Sequence, residues 1–181
     1  MQYKLIEGLI DPSKCQEMAD RMDAMASGAL PDSQSPMSLA FSSIFNRIQK
    51  DLTPIIAREF GVDLTPTYNY GRKYYPGDLL KRHMDRPSCE YSITVNLGQE
   101  DDVWPFYVET QTETKEFKLN IGDAVAYKGC EVYHWREELT SGICHQHFFH
   151  WVGTNGRYKD HAFDKQRSNF IDQMNKDELT L

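Results

Sequence analysis

Tyr74-Tyr75-Pro76-Gly77-Asp78-Leu79-Leu80-Lys81-Arg82-His83-Met84-Asp85 is the stretch on which the reading of this chain turns. It ends in His-x-Asp, and a two-residue step along a β-strand returns a side chain to the same face. His83 and Asp85 can therefore point at one ion. Farther on, the run from Asp123 to His134 supplies a second histidine on a strand-like segment. Two imidazoles and one carboxylate on one face of a metal leave its remaining positions open, the arrangement known as a facial triad. Taken alone, His-x-Asp arises by chance, and its plain alternative is a surface histidine beside a solvated aspartate.

Outward from this stretch, hydrophobic periodicity divides the chain in two. Asp11-Pro12 reads as a helix start, with Asp11 as cap and Pro12 in the first turn. Met18, Met22 and Met25 then recur at helical spacing up to a stop at Gly28, a pattern of core packing rather than of ligands. Leu30–Met37 reads as a loop. Ser38–Phe60 reads as one helix with Leu39, Ile44, Ile48, Leu52, Ile55, Ile56 and Phe60 on its apolar stripe, and Pro54 is expected to kink or divide it. From Thr65 onward the period is two. Strands are expected over residues 65–74, Glu90–Leu97, Val103–Thr110, Thr112–Leu119, Ala124–Lys128, Val132–Arg136 and Ile143–Val152, with an edge strand within Met1–Ile10. Strands of this length with turns between them predict a mainly β protein with flanking helices and a jelly-roll core. The expected organisation is a single domain over residues 1–181, with a helical part at 11–60, the jelly roll at 65–153 and an extension at 154–181. Within that extension Lys165–Asn175 reads as a helix.

Composition narrows the function classes. A chain of 181 residues is long enough for one sizeable core. Its net charge of −7 gives no basic field for gripping phosphates and counts against nucleic acid as a partner. The four cysteines, Cys15, Cys89, Cys130 and Cys144, form no C-x-x-C pair, as expected of free thiols in a reducing compartment. No apolar run reaches the length of a membrane span, and a cytoplasmic protein is expected.

Tyr74-x-Pro-Gly before the His-x-Asp, Ser92-Ile-Thr-Val-Asn-Leu97 after it, and Gly122-Asp123 leading to His134 together resemble the 2-oxoglutarate/Fe(II)-dependent dioxygenase superfamily. The prolyl 4-hydroxylase-like and AlkB-like branches look nearest, and the resemblance covers about residues 66–153. It implies a double-stranded β-helix whose His83, Asp85 and His134 hold Fe(II), with 2-oxoglutarate as co-substrate and ascorbate as a reductant. It implies oxidative decarboxylation to succinate and carbon dioxide, coupled to hydroxylation of a peptide or small-molecule substrate.

The far carboxylate of 2-oxoglutarate needs a cationic partner. Where the family places Arg or Lys on the strand after the distal histidine, this chain has Ile143 and Cys144. Alignment on Trp151 selects His145 instead. Arg136, two residues after His134, and Arg72, two before Tyr74, are the alternatives. The favoured arrangement has an arginine supplying the charge, Tyr74 a hydrogen bond, and His145 as the positional equivalent of the lost residue. Leu80 stands where prolyl hydroxylases carry a tyrosine, which weakens the transfer of prolyl specificity. Trp104, Tyr107 and Trp135 could line a substrate mouth, although such aromatics are more often core. His147 and His150 lie near the ligand strand, yet the triad leaves at least one of them unbound to iron. Two other readings stay open: a noncatalytic metal-binding jelly-roll module, and a cupin-like iron dioxygenase that does not use 2-oxoglutarate.

Overall fold

Residues 1–25, 38–40 and 43–164 are described by the computed structural model. The loop at Leu30–Met37, the stop at Gly28 and the helix at Lys165–Asn175 lie outside them. The elements are β1 (Tyr3–Ile6), α1 (Pro12–Met25), β2 (Ser38–Ala40), α2 (Ser43–Phe60), β3 (Leu64–Tyr74), β4 (Leu80–His83), β5 (Tyr91–Gln99), β6 (Phe106–Glu109), β7 (Thr114–Phe117), β8 (Ala124–Tyr127), β9 (Tyr133–Arg136) and β10 (Cys144–Gly153). They build a six-stranded sheet in the order β1-β8-β5-β10-β3-β2 and a four-stranded sheet in the order β4-β9-β6-β7. The recorded strand pairs are antiparallel. This is the expected jelly roll with flanking helices.

Period-two alternation explains both faces of the large sheet. In β5, Tyr91, Ile93, Val95 and Leu97 join the core beneath the helices. Ser92, Thr94 and Asn96 are buried on the opposite face. In β8, Ala124 and Ala126 face the helices, while Val125 and Tyr127 join Phe106, Val108, Phe117 and Leu119 between the sheets. The helical side takes Met18 and Met22 from α1 and Phe45, Leu52 and Ile56 from α2. Truncating one such large apolar side chain to alanine costs about 2–5 kcal/mol.

Asp11 caps α1 as expected, its Oδ1 accepting from the Ser13 backbone N–H at 2.8 Å. The helix expected over Ser38–Phe60 is corrected: residues 38–40 pair with β3, Ser38 opposite Arg72, and α2 begins at Ser43. An open edge of the large sheet satisfies the backbone there, so Leu39 leaves the helical stripe. Nor does Pro54 divide α2, which runs unbroken to Phe60. Pro54 lies on the exposed face, where water can meet the carbonyl it leaves without a donor. No helix among the described residues is long and apolar enough to cross a membrane.

Gly122-Asp123 is a built corner. Gly122 sits at φ 92°, and a Cβ there would collide with the Ile10 carbonyl. The Asp123 carboxylate accepts from the backbone N–H of Gly8 at 2.8 Å and of Asn120 at 2.9 Å. This ties β1 to the start of β8 and sets the strand pairing ahead of His134.

Candidate metal centre

His83 and His134 are direct cross-strand partners in the β4–β9 ladder. Their rings lie 4.3 Å apart between centroids. β4 ends at His83, so Asp85 is not on a strand as the spacing argument assumed. It is brought back by backbone pairing instead: the Asp85 N–H donates to the Gly129 carbonyl at 2.9 Å. A Cβ on Gly129 would overlap the Asp85 side chain and the Cys89 carbonyl. Gly129 thus makes the space in which Asp85 turns toward the histidines, a role not visible in the sequence pattern.

The three side chains converge. Nε2 of His83 and Nε2 of His134 each lie 3.4 Å from Asp85 Oδ1. The Nδ1 atoms face backbone carbonyls, His83 to Lys81 at 2.6 Å and His134 to Val132 at 3.3 Å. A carbonyl only accepts, so each Nδ1 carries the proton in the neutral ring and each Nε2 presents a lone pair. His134 is buried, and Asp85 and His83 are partly covered. Burial opposes ionisation of Asp85, but hydrogen bonds and charge from His134 and His83 outweigh it and hold the carboxyl well below its usual range. For His83, burial disfavours the charged ring, while Asp85 and the Lys81 carbonyl favour it more strongly and raise its pKa. The carboxylate therefore attracts positive charge to the centre of the group, whether a proton or a metal ion. Two imidazoles and an ionised carboxylate fit a divalent first-row cation with positions left open.

Arg136 lies two residues beyond His134 on the same face of β9. It is 1% exposed. One nitrogen, Nη1, donates to the Trp104 carbonyl at 2.6 Å, and Nη2 donates to Gln146 Oε1 at 3.0 Å. Its Nε is buried without a hydrogen-bond partner. The guanidinium also lies 4.9 Å from the Trp104 ring centroid and 5.1 Å from that of Phe106. No Asp or Glu among the described residues pairs with it, the adjacent Glu137 and Glu138 included. A buried cation with only neutral partners is costly unless an anion joins it. Burial accordingly lowers the Arg136 pKa. Tyr74, fully buried and edge-on to Trp104 at 4.8 Å, lies beside it. Burial raises the Tyr74 pKa, and the charges of Arg72 and Arg136 pull it back down. Arg72 points to the same interior, 5.4 Å from the Tyr70 ring centroid. These donors fit a carboxylate.

His145 does not join them. Residues of β10 alternate: Cys144, Gln146, Phe148 and His150 face the interior, while His145, His147, Phe149 and Trp151 face the helices. His145 Nε2 lies 3.0 Å from Asp23 Oδ1 of α1, which Lys73 also engages at 2.8 Å. Gln146 is the β10 residue that meets Arg136. His147 stacks on Phe45 of α2 at 4.4 Å and is bonded to Asn69 at 3.1 Å. Tyr107 and Trp135, considered for a substrate mouth, stack at 5.3 Å on the outer side of the small sheet, and the Arg82 guanidinium lies 3.6 Å from the adjoining Tyr133 ring. Trp104 is core, packed with Tyr74, Leu139 and Phe148.

No family model matches the sequence, and no curated protein matches it. Solved structures do match the fold. One is a viral collagen prolyl hydroxylase from Paramecium Bursaria Chlorella virus-1 in a 2-oxoglutarate complex, with TM-score 0.67 and 14% identity, covering 83% of this chain and 96% of that one. A 2OG-Fe(II) oxygenase family oxidoreductase from Burkholderia pseudomallei gives 0.66 and 15%, covering 86% and 87%. A prolyl-4-hydroxylase from Pseudomonas putida gives 0.64 and 12%, covering 84% and 94%. This is the 2-oxoglutarate/Fe(II) oxygenase fold.

Within this oxygenase fold several residues near the centre carry no sequence signal of their own. Gln49, set among the apolar positions of α2, donates to the carbonyls of Tyr68 at 3.2 Å and His150 at 2.7 Å. It thereby satisfies the backbone at the bulge between His150 and Trp151. Ser92 Oγ lies 2.8 Å from His150 Nδ1 and 3.3 Å from Asp85 Oδ2. Cys89 Sγ is 3.0 Å from the Tyr68 hydroxyl. Burial, then the charge of Asp85, pushes this thiol up to about 12.

Proposed function

We propose that the chain acts as a single-domain 2-oxoglutarate- and Fe(II)-dependent dioxygenase, most simply a hydroxylase. In this reading His83, Asp85 and His134 hold the iron. Arg136 receives the far carboxylate of 2-oxoglutarate, with Tyr74 as hydrogen-bond donor and Arg72 adding positive charge. The observation that carries the reading is the pairing, on one strand face, of a metal-competent histidine with a buried guanidinium that has no acid among the described residues. A metal module with no anionic ligand would have no use for that cation. Bound iron and 2-oxoglutarate would supply the oxidising chemistry, with succinate and carbon dioxide as products. The protein's own part is to present two Nε2 lone pairs and one carboxylate, to orient the co-substrate through Arg136, and to exclude water with the aromatic interior.

The substrate proposed is a peptidyl residue of prolyl type or a small molecule. Leu80, in place of a tyrosine, is buried in the core between the sheets, which favours a substrate other than prolyl. The test is succinate release from 2-oxoglutarate with Fe(II) and ascorbate across candidate substrates. It is joined to quenching of tryptophan fluorescence by 2-oxoglutarate, because Trp104 touches both Tyr74 and Arg136. Quenching that requires Fe(II) or Mn(II) supports the reading. Metal binding without any 2-oxoglutarate response would leave a noncatalytic module, and oxygen uptake independent of 2-oxoglutarate would mean a cupin-like enzyme.

A further inference from the structure

We propose a second metal position inside the barrel, held by Asp85, Cys89 and His150 and suited to a thiophilic divalent cation of the Zn(II) class. One ligand atom from each of the three lies within 4.8 Å of the other two. Zinc–ligand bonds of about 2.0–2.3 Å place ligand atoms roughly 3.5 Å apart, so small side-chain rotations close the site. Cys89 and His150 are each 2% exposed, and the Asp85 side chain is 12% exposed. Three groups with strong metal affinity are thus gathered in a place that water scarcely reaches.

Their surroundings are arranged as around a ligand set. The alternation of β10 turns His150 into the interior, and Gln49 holds its backbone by donating to the His150 carbonyl at 2.7 Å. A short turn at Pro87–Cys89 delivers the thiol. Ser92 Oγ, 2.8 Å from His150 Nδ1, can accept the ring proton and fix the tautomer, as the carbonyls do for His83 and His134. The Tyr68 hydroxyl, 3.0 Å from Cys89 Sγ, can donate to a thiolate. Asp85 serves both positions because it has two oxygens. Oδ1 faces the two Nε2 atoms of His83 and His134, while Oδ2 is turned toward Ser92. The donor sets differ in softness: imidazole and carboxylate alone suit Fe(II), and a thiolate shifts preference toward zinc. The inference shares Asp85 with the proposed iron site but does not depend on 2-oxoglutarate.

The experiment is anaerobic titration of the metal-stripped full chain with Co(II). Wild type is expected to bind two equivalents and to develop thiolate-to-Co(II) charge-transfer absorption. Cys89→Ser and His150→Gln should each keep one equivalent and lose that absorption. His134→Ala should keep the absorption and lose the other equivalent. A wild type that binds one Co(II) without the absorption, or absorption that persists in Cys89→Ser, overturns the second site. Two equivalents retained in His134→Ala would instead overturn the iron triad. Circular dichroism checks each variant's fold. If Cys89→Ser and His150→Gln both fail to fold, wild-type stoichiometry and absorption decide: two equivalents with the band support the site, and any other result rejects it.

Discussion

The two faces of the β9–β10 region carry similar residue types and use them oppositely. Toward the interior stand His134, Arg136, Gln146 and His150; toward the helices stand His145 and His147. On the helix side both histidines are held by neighbours through Nε2: His145 by Asp23 and His147 by Asn69, while the buried His147 Nδ1 has no hydrogen-bond partner among the described residues. On the interior side, the carboxylate Asp85 draws two Nε2 atoms to one oxygen, and among the described residues the Arg136 charge is met only by neutral groups. Polar side chains held by structural neighbours fix a fold, whereas a buried charge left without its counter-ion marks a place where a ligand completes the set. Histidine and cationic residues are therefore informative here only once their face is known.

The largest expected effect is at the triad. His134→Ala or Asp85→Ala should lower iron affinity and succinate release by more than about 100-fold, since even outer partners of metal ligands cost 10–100-fold. Gly129→Ala, which displaces Asp85 without altering a ligand, should lose about 10-fold in metal affinity. Metal analysis after dialysis reads both, and iron retained in full by either ligand variant would remove that residue from the site. Next, Arg136→Met should weaken 2-oxoglutarate binding roughly 10- to 150-fold, the value of a charge-assisted hydrogen bond of about 1.5–3 kcal/mol. Metal occupancy should stay unchanged. Normal affinity in this variant would mean that the buried guanidinium is structural and that the two faces do not differ as argued.

On the helix side the effect is on stability. Burial, then the nearby His150, depresses the His147 pKa to about 3. The unfolded chain takes up the proton near pH 6.5, while the folded chain stays neutral far below that. The stability contributed by neutral His147 is thus fully present above about pH 6.5 and is lost as pH falls toward 3. The loss runs at about 1.4 kcal/mol per pH unit. Urea denaturation at pH 5.5 and 4.5, below the unfolded pKa where the slope is nearly full, should show it in wild type and a shallower one in His147→Gln; equal slopes would refute it. The smallest effect is predicted for His145→Ala. Its partly exposed pair with Asp23 should contribute less than about 1 kcal/mol, and 2-oxoglutarate affinity should stay within about twofold. A large affinity loss there would return His145 to the co-substrate site.

The elements themselves were legible from local chemistry. Asp11-Pro12 opened a helix, the period-two run from Thr65 became β3, and Tyr74-x-Pro-Gly, His-x-Asp and Gly122-Asp123 were readable as a set. Misreadings arose where a partner outside the local window decided. Leu39 looked helical because its spacing to Ile44 and Ile48 is nearly right, yet the free edge of β3 claimed its backbone. Pro54 is expected to kink or divide the helix, and it does not divide it, because at its exposed position solvent can meet the carbonyl left without a donor.

By itself the sequence determined the mainly β class and the helical flank, because periodicity and turn chemistry act over a few residues; it nominated His83, Asp85 and His134 by motif order, while the backbone pairing that places Asp85 is tertiary. Only the tertiary structure decided which cation faces the interior. A one-residue step along β10 separates His145 from Gln146 and sends their side chains to opposite faces. Only pairing with β3 and β5 sets which face is which. Tertiary contact likewise gave Gly129 its role beside Asp85 and gathered Cys89 and His150 around the same carboxylate. Those residues come from three different segments, and no spacing within a single segment could have joined them.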